Sequence, residues 1–193
     1  MTPSDEKEAI QLCQHHQEEG FVWLIHQYYI EAMRIVYLII RNQDDADDIV
    51  QESFVQVWKS IHRFRQQHSF RPWFMHIVVN TLRTHQRTLA RHPVVSLEHI
   101  DTCDNQTGQS TTDPVAYSEQ QEAEQEILQA ITMLTPLQRE AIILHYYSGY
   151  TAPEIAQIVG CRPDAVRRRI HDGVVALERI LHQHSSWLTE MYS

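Results

Sequence analysis

Asp164, Arg167, Arg168 and His171 are spaced i, i+3, i+4, i+7, which on a helix turns all four side chains to one side. Such a row can reach along a single DNA major groove, where arginine reads guanine bidentately at about 1–3 kcal/mol of discrimination per good pair. The residues in front of it have helix-turn-helix spacing. In Thr151-Ala-Pro-Glu-Ile-Ala-Gln-Ile-Val-Gly160 a short helix would turn Ile155, Ala156 and Val159 inward, and the small Ala156 permits a close helix crossing. Gly160 suits a turn with positive φ, and Pro163 suits the first position of a second helix. Val166, Ile170, Val174, Leu177 and Leu181 are that helix's expected buried stripe. A plain helical hairpin with a solvated arginine cluster is the competing account of these residues.

A second constellation lies upstream. Residues 59–97 carry Lys59, Arg63, Arg65, Arg71, Arg83, Arg87 and Arg91 and no carboxylate. Residues 1–58 hold 11 acids against 3 bases, and residues 98–193 hold 14 against 6. A basic island in a chain of net charge −9 is a local anion-binding footprint, while the total argues against a nonspecific polycation for DNA or anionic membrane. Five histidines (62, 68, 76, 85 and 92) and the aromatics Phe64, Phe70, Trp73 and Phe74 share the island. Cations interleaved with aromatics suit a nucleic-acid strand whose bases stack or are captured singly. A solvated basic helix face beside an acidic one would look similar.

The positioning elements read as helices throughout. Val22, Ile25, Tyr29, Met33, Val36 and Ile40 step by three and four through Phe21–Ile40, the expected buried stripe of one helix. Asn42-Gln-Asp-Asp-Ala-Asp-Asp48 breaks the run, and its acids suit the start of a helix over about 45–61 that buries Ile49, Val50, Phe54, Val57, Trp58 and Ile61. Pro72 belongs in the first turn of a further helix to about Arg91. Residues 93–118 are rich in Ser, Thr, Asp, Asn and Gln without periodicity, as a linker would be. Beyond Glu119 a stripe of Ile127, Ala130, Ile131 and Leu134 precedes helices at about 136–148, 152–159 and 163–183. The expected fold is all-α: two small helical domains on a polar tether.

Several function classes are excluded on the same residues. With 5 glycines, no GxGxxG and no GxxxxGK[ST], the chain offers no glycine-rich phosphate loop. The 13 histidines include no HExxH, and His15-His16, His62, His68 and His182-x-His184 show no metal-ligand spacing, so neither a metal nor a cofactor is expected. Cys13, Cys103 and Cys161 are an odd number without CxxC, consistent with a reducing cytosol. The acidic, polar N-terminus is unlike a signal peptide, and apolar runs such as Ile35–Ile40 fall far short of the ~20 residues a membrane span needs.

Asp44-Asp-Ala-Asp-Asp-Ile-Val-Gln-Glu-Ser-Phe-Val-Gln-Val-Trp58 and Phe70-Arg-Pro-Trp-Phe-Met-His-Ile-Val-Val-Asn80 resemble the sigma-2 domain of bacterial RNA polymerase sigma factors. Leu134-Thr-Pro-Leu-Gln-Arg-Glu140, Glu154-Ile-Ala and the arginine-rich second helix resemble sigma-4. Two motif sets in family order across a linker, covering about 160 residues, identify the chain as similar to the extracytoplasmic-function (group 4) branch of the sigma-70 family. The resemblance implies a sigma-2-like domain at 1–92 that binds core polymerase and recognises and melts the −10 element, a linker at 93–118, and a sigma-4-like domain at 119–193 that reads the −35 element. It implies that Asp48, Gln51 and Glu52 dock on core polymerase, and that the loop Phe64, Arg65, Gln66, Gln67 and His68 captures a flipped −10 base. Asn80, Arg83 and Arg87 would track nearby DNA, and Arg167, Arg168 and His171 would read −35 bases. Core polymerase, promoter DNA and an anti-sigma factor are the implied partners, with no catalysis, no metal, no cofactor and a cytoplasmic location. One departure stands out: Asp172-Gly173 replaces the family's usual Arg-Ala, substituting an anion for a phosphate-contacting cation. An autonomous helix-turn-helix regulator, its N-terminal helices sensing or dimerising, is the alternative reading.

Overall fold

The computed structural model describes residues 3–91 and 125–191, with side chains through residue 183. The expected linker at 93–118 and Cys103 lie outside the described residues, as do residues 119–124 of the second expected domain. Among the described residues there are helices and no strands.

Helix α1 (Glu6–Gln14) starts where the Asp5 carboxylate accepts from the Glu8 N–H. Helix α2 (Glu18–Ile40) ends at Arg41, whose N–H donates to the Tyr37 carbonyl and whose left-handed φ of 57° turns the chain out of the helix. Asn42 caps helix α3 (Gln43–Ser60) through the Asp45 N–H at 2.9 Å, and Asp44 and Asp45 sit in its first turn, where the macrodipole favours them. A 3-10 turn (Ile61–Arg63) and a short loop lead to helix α4 (Phe70–Arg91).

These four helices enclose one apolar core. Leu24, Tyr28 and Ala32 of α2, Ile49, Phe54 and Val57 of α3, and Phe70, Phe74 and Val78 of α4 are buried. Phe74 lies 5.0 Å from the Phe54 ring and 5.5 Å from Tyr28, within the range where aromatic pairs attract beyond their burial. At the α1–α2 crossing only glycine fits at position 20, since a Cβ would lie 2.8 Å from the Cys13 nitrogen. Cys13 is sealed beneath that crossing, and burial pushes its thiol up to about 11, so it has little of the thiolate that redox chemistry requires.

The second unit begins with helix α5, described over residues 125–132. Helix α6 (Pro136–Ile142) runs into a π-helical turn (Ile143–Tyr147), and then come α7 (Ala152–Val159) and α8 (Pro163–Met191). Thr151 and Glu154 form a reciprocal capping box at the start of α7, with the Glu154 carboxylate accepting from the Thr151 N–H at 2.8 Å. Those bonds, the side-chain one foremost, hold the Glu154 carboxyl below its ordinary value. Gly160 ends α7 at φ 70°, and Pro163 opens α8, as the spacing requires.

Several expected buried residues are corrected: Trp58 of α3 is half-buried, and of the α8 stripe only Val166 is buried, with Ile170, Val174, Leu177 and Leu181 half-buried. The buried residues of α2 are Gly20, Leu24, Tyr28, Ala32, Ile35, Val36, Leu38 and Ile39, whereas Val22 is exposed and Ile25, Tyr29, Met33 and Ile40 are half-buried. Ile127 is also exposed, while Ala130 and Leu134 are buried. The α2 discrepancy has a physical origin. Helix α2 is covered by α1, α3 and α4 and also by the π turn and α6 of the second unit, so its C-terminal half is buried on several sides.

The two units meet in a single continuous apolar core, with α4 lying against α7. Ile158 and Val159 of α7, together with Leu144 and Tyr150, belong to the same buried cluster as Phe74 and Val78.

Candidate nucleic-acid and polymerase interface

Pro163 opens α8, which packs on α7, and Val166 is buried in the same apolar cluster as Ile155 and Ala156, which sets what the helix shows to solvent. Arg167, Arg168 and His171 are all exposed on one side, as their spacing predicts. On that side Arg167 donates to the Asp164 carboxylate at 2.7 Å. Both side chains are more than half exposed (60% and 77%), so water screens the pair and little holds the guanidinium back from another acceptor. Arg169, one position on, turns sideways to the Cys161 sulfur and leaves the row.

Gly173, a departure from the family pattern, is explained by packing. A Cβ there would stand 2.9 Å from Ile142 Cγ1 and 3.2 Å from its Cδ1, at the α6–α8 crossing. Restoring a side chain recovers about 1 kcal/mol of helix propensity but overpacks a buried contact at a cost of about 1–3 kcal/mol. Gly173→Ala is therefore expected to lower the urea midpoint, by up to about 2 kcal/mol in stability; a raised midpoint would contradict this account. Asp172 remains exposed on the outer side.

Around the loop before α4 the structure brings Phe64, Arg65 and His68 together with Arg63 and Trp73, members of the basic, aromatic island that the resemblance does not assign to the base-capturing loop. These five line an open cavity of about 270 Å³. Phe64 is buried, with its ring 4.9 Å from Trp73 and 5.5 Å from Phe70, so it forms the cavity's rigid wall. The Gln14 amide donates to the carbonyls of Ile61 and Phe64, at 3.1 and 2.8 Å, and anchors the loop from α1. A turn in which the His68 N–H reaches the Arg65 carbonyl lifts the rest of the loop outward. Gln66 and Gln67 are exposed and lie outside the cavity lining. The signal for Trp73 was its position one helical turn beyond Phe70, on the same face of α4.

Asp48, Gln51 and Glu52 are exposed on α3. Gln51 donates to Asp47 at 2.7 Å, and Asp47 in turn accepts from the Tyr29 hydroxyl at 2.6 Å. Val55, the i+7 position of the same face, is an apolar residue 42% exposed in their midst.

On α4, Asn80 and Arg87 are exposed, but Arg83 is turned onto the second unit. Its guanidinium donates to the Val159 carbonyl at 2.9 Å and pairs with Glu140 at 2.7 Å. Burial raises the Glu140 carboxyl above its ordinary value, and Arg83 pulls it part of the way back. Asn80 Nδ2 donates to His76 Nε2 at 2.9 Å, which leaves the His76 Nδ1–H to donate to the Ile158 carbonyl at 2.7 Å.

No group of three His, Cys, Asp or Glu among the described residues could hold a metal ion, and no described helix is long and apolar enough to cross a membrane.

Comparison with known proteins gives this geometry its context. Residues 24–92 match Sigma-70 region 2, and residues 124–177 match Sigma-70, region 4. The RNA polymerase sigma factor NccH of Alcaligenes xylosoxydans xylosoxydans is 30% identical over 132 residues, covering 66% of this chain and 68% of that protein. The ECF RNA polymerase sigma factor SigX of Bacillus subtilis is 27% identical over 177 residues, 90% of this chain and 87% of that one. Among solved structures, the sigma factor RpoE of Bartonella quintana, crystallised with the anti-sigma factor NepR, shares the fold at a TM-score of 0.65 and 23% identity, over 85% of this chain and 98% of that one. Two region matches in order, each on the helices that carry the expected motifs, place the chain in the extracytoplasmic-function branch of the sigma-70 family: it is a promoter-specificity subunit of RNA polymerase.

Proposed function

We propose the following division of labour. The unit within residues 1–92 docks on core polymerase through Asp48, Gln51 and Glu52 and holds the melted −10 strand, with Phe64, Arg65, Gln66, Gln67 and His68 at the captured base and Asn80, Arg83 and Arg87 along the backbone. Residues 93–118 link it to the unit within 119–193, whose Arg167, Arg168 and His171 read the −35 duplex. The protein catalyses no reaction itself and acts in the cytoplasm. An anti-sigma factor, the kind of partner seen with the Bartonella protein, would hold it in reserve.

The cavity built from the acid-free stretch carries this reading. Trp73, backed by the buried Phe64, lines the cavity together with Arg63, Arg65 and His68, which suits a single extruded base: the half-buried Trp73 ring supplies a stacking surface and the polar side chains supply hydrogen bonds. Extrusion costs a few kcal/mol, and one stacked base returns about 1–3 kcal/mol. The exposed loop residues can therefore decide whether the strand stays melted. An autonomous duplex-binding regulator would have no use for such a cavity.

The test uses holoenzyme and a forked promoter that it has selected from a random pool, with 2-aminopurine placed at successive non-template positions. One position is expected to change its fluorescence sharply on binding. Arg65→Ala and His68→Ala should each weaken that change about 10-fold in affinity, or about 1.4 kcal/mol, without altering polymerase retention. A uniform response along the strand, unaffected by either variant, would remove the cavity from the mechanism.

A further inference from the structure

Helix α1 precedes the stretch that matches Sigma-70 region 2, yet its last residue reaches into the loop that builds the base cavity. The Gln14 amide donates to the carbonyl of Ile61, where the 3-10 turn starts, and to that of Phe64, just past its end. These acceptors lie 47 and 50 residues further along the chain, so the contact is tertiary. It does not serve the termination of α1 itself. The N–H groups of His15, His16 and Gln17 already return to the carbonyls of Gln11, Cys13 and Leu12.

The two bonds differ in what they fix. The Ile61 carbonyl also accepts from the Phe64 N–H at 3.0 Å, the bond that closes the turn. Phe64 itself is extended, at φ −68° and ψ 129°, and its carbonyl lies where the chain leaves regular structure. Pinning that carbonyl fixes the plane of the Phe64–Arg65 peptide, because a peptide unit is planar and moves as one. The direction in which Arg65 departs follows from that plane. So does the turn beyond it, in which the His68 N–H reaches the Arg65 carbonyl at 3.0 Å.

Helix α1 is well placed to serve as the anchor. At its start Glu6 accepts from the Tyr28 hydroxyl, and the Tyr28 ring packs 5.3 Å from Phe70 and 5.5 Å from Phe74. Past its end the close crossing at Gly20 ties it to α2, and the His16 ring meets Trp58 of α3 edge-on at 5.8 Å. The helix is therefore tied to the core at both ends, and Gln14 extends that rigidity to the loop.

From this contact we infer that Gln14 is a positioning residue for −10 base capture: it sets Arg65 and His68 at the cavity before the strand arrives. The inference rests on the base-capture reading of that cavity. Gln14 lies outside the cavity lining and acts through the Phe64–Arg65 peptide. A loop ordered in advance binds more tightly, since its ordering is not charged to the binding step. A loop that samples other orientations binds in proportion to its competent fraction.

The experiment uses the full chain, free and in holoenzyme, with two variants so that misfolding of one leaves the other informative. Gln14→Met keeps the length and removes both donors, and Gln14→Glu turns a carboxylate toward two carbonyl oxygens. In the free protein, amide hydrogen exchange over residues 61–68 should be at least ~5-fold faster in Gln14→Met and faster again in Gln14→Glu, with α2 and α4 unchanged. On a forked promoter with 2-aminopurine at the responsive position, Gln14→Met holoenzyme should bind about 10-fold more weakly, with retention on core polymerase unchanged. Added to Arg65→Ala and His68→Ala together, Gln14→Met should weaken binding no further, because it acts through those residues. Unchanged loop exchange in both variants would show that Gln14 does not hold the loop, and unchanged strand binding beside faster exchange would show that its order does not matter; either overturns the inference. A loss that adds in full to that of the pair, or that is matched by lost retention, would make Gln14 a support of the fold and no more. If no promoter position responds even in wild type, the base-capture reading itself has failed and the inference falls with it, whatever the exchange result.

Discussion

Glutamate at both Arg167 and Arg168 is expected to abolish −35-dependent transcription, by at least about 100-fold, while leaving retention on core polymerase intact. Each bidentate arginine–base contact contributes about 1–3 kcal/mol, so losing two removes about 2–6 kcal/mol before the repulsion of the new carboxylates by phosphate is counted. At 1.4 kcal/mol per tenfold, the middle of that range already exceeds 100-fold. Both side chains are exposed and Val166 anchors the helix from the opposite side, so the double variant should keep its fold. Arg169→Glu is the informative control: that residue turns toward Cys161 and away from the row, and its replacement should reduce −35 transcription far less. The measurement is in vitro transcription on paired templates with and without the −35 element. Equal losses on both templates would mean that the row does not read −35.

That prediction is possible from sequence because the helix-turn-helix is specified by local chemistry. Thr151 and Glu154 cap one helix, Gly160 alone accepts its terminal φ of 70° without strain, and Pro163 begins the next. Each signal acts within four residues, so one window of sequence contains both cause and effect. The phase of α2 is not legible in the sequence for the converse reason. Its Ile35–Ile40 segment is apolar at every position because the second unit covers the side that a lone bundle would leave wet, and a single stripe cannot be drawn through a helix buried on several sides.

The arginines divide in the same way. Arg167 and Arg168 are legible because a row on an exposed helix needs no partner. Arg71, Arg83 and Arg139 look identical to them in sequence, yet each finds an acceptor more than 50 residues away, at Ser148, Val159 and Ile39. Which cations face solvent and which fasten the two units together is a property of the assembled chain. The π turn at Ile143–Tyr147 belongs to this class too, since it lies where the second unit packs against α2. Trp73 and Arg63 enter the cavity only once the 3-10 turn has folded the chain back over the start of α4.

Exchanging Asp48 and Glu52 for lysine and Gln51 for alanine is the other change with a large expected effect, and its consequences are the mirror image of the first. Retention on core polymerase should fall by at least about 100-fold, while duplex −35 binding by the protein itself is unchanged. Hydrogen bonds to charged groups contribute about 1.5–3 kcal/mol each, so two lost carboxylates alone account for about 3–6 kcal/mol, or 100-fold and more. The fold should tolerate the exchange. Asn42, Asp44 and Asp45 still cap and charge the start of α3, and the buried side of that helix is carried by Ile49, Val50, Phe54 and Val57. Val55 sharpens the test, because it lies on the same exposed face and contributes no charge. If the face docks as a unit, Val55→Asp should weaken retention with the acids in place, since desolvating a new carboxylate at an interface is costly. Retention untouched by both variants would place the polymerase contact on another surface. Retention lost only in the charge variant would make the contact electrostatic and strongly salt-dependent, since exposed charges are screened within about 8 Å at physiological ionic strength.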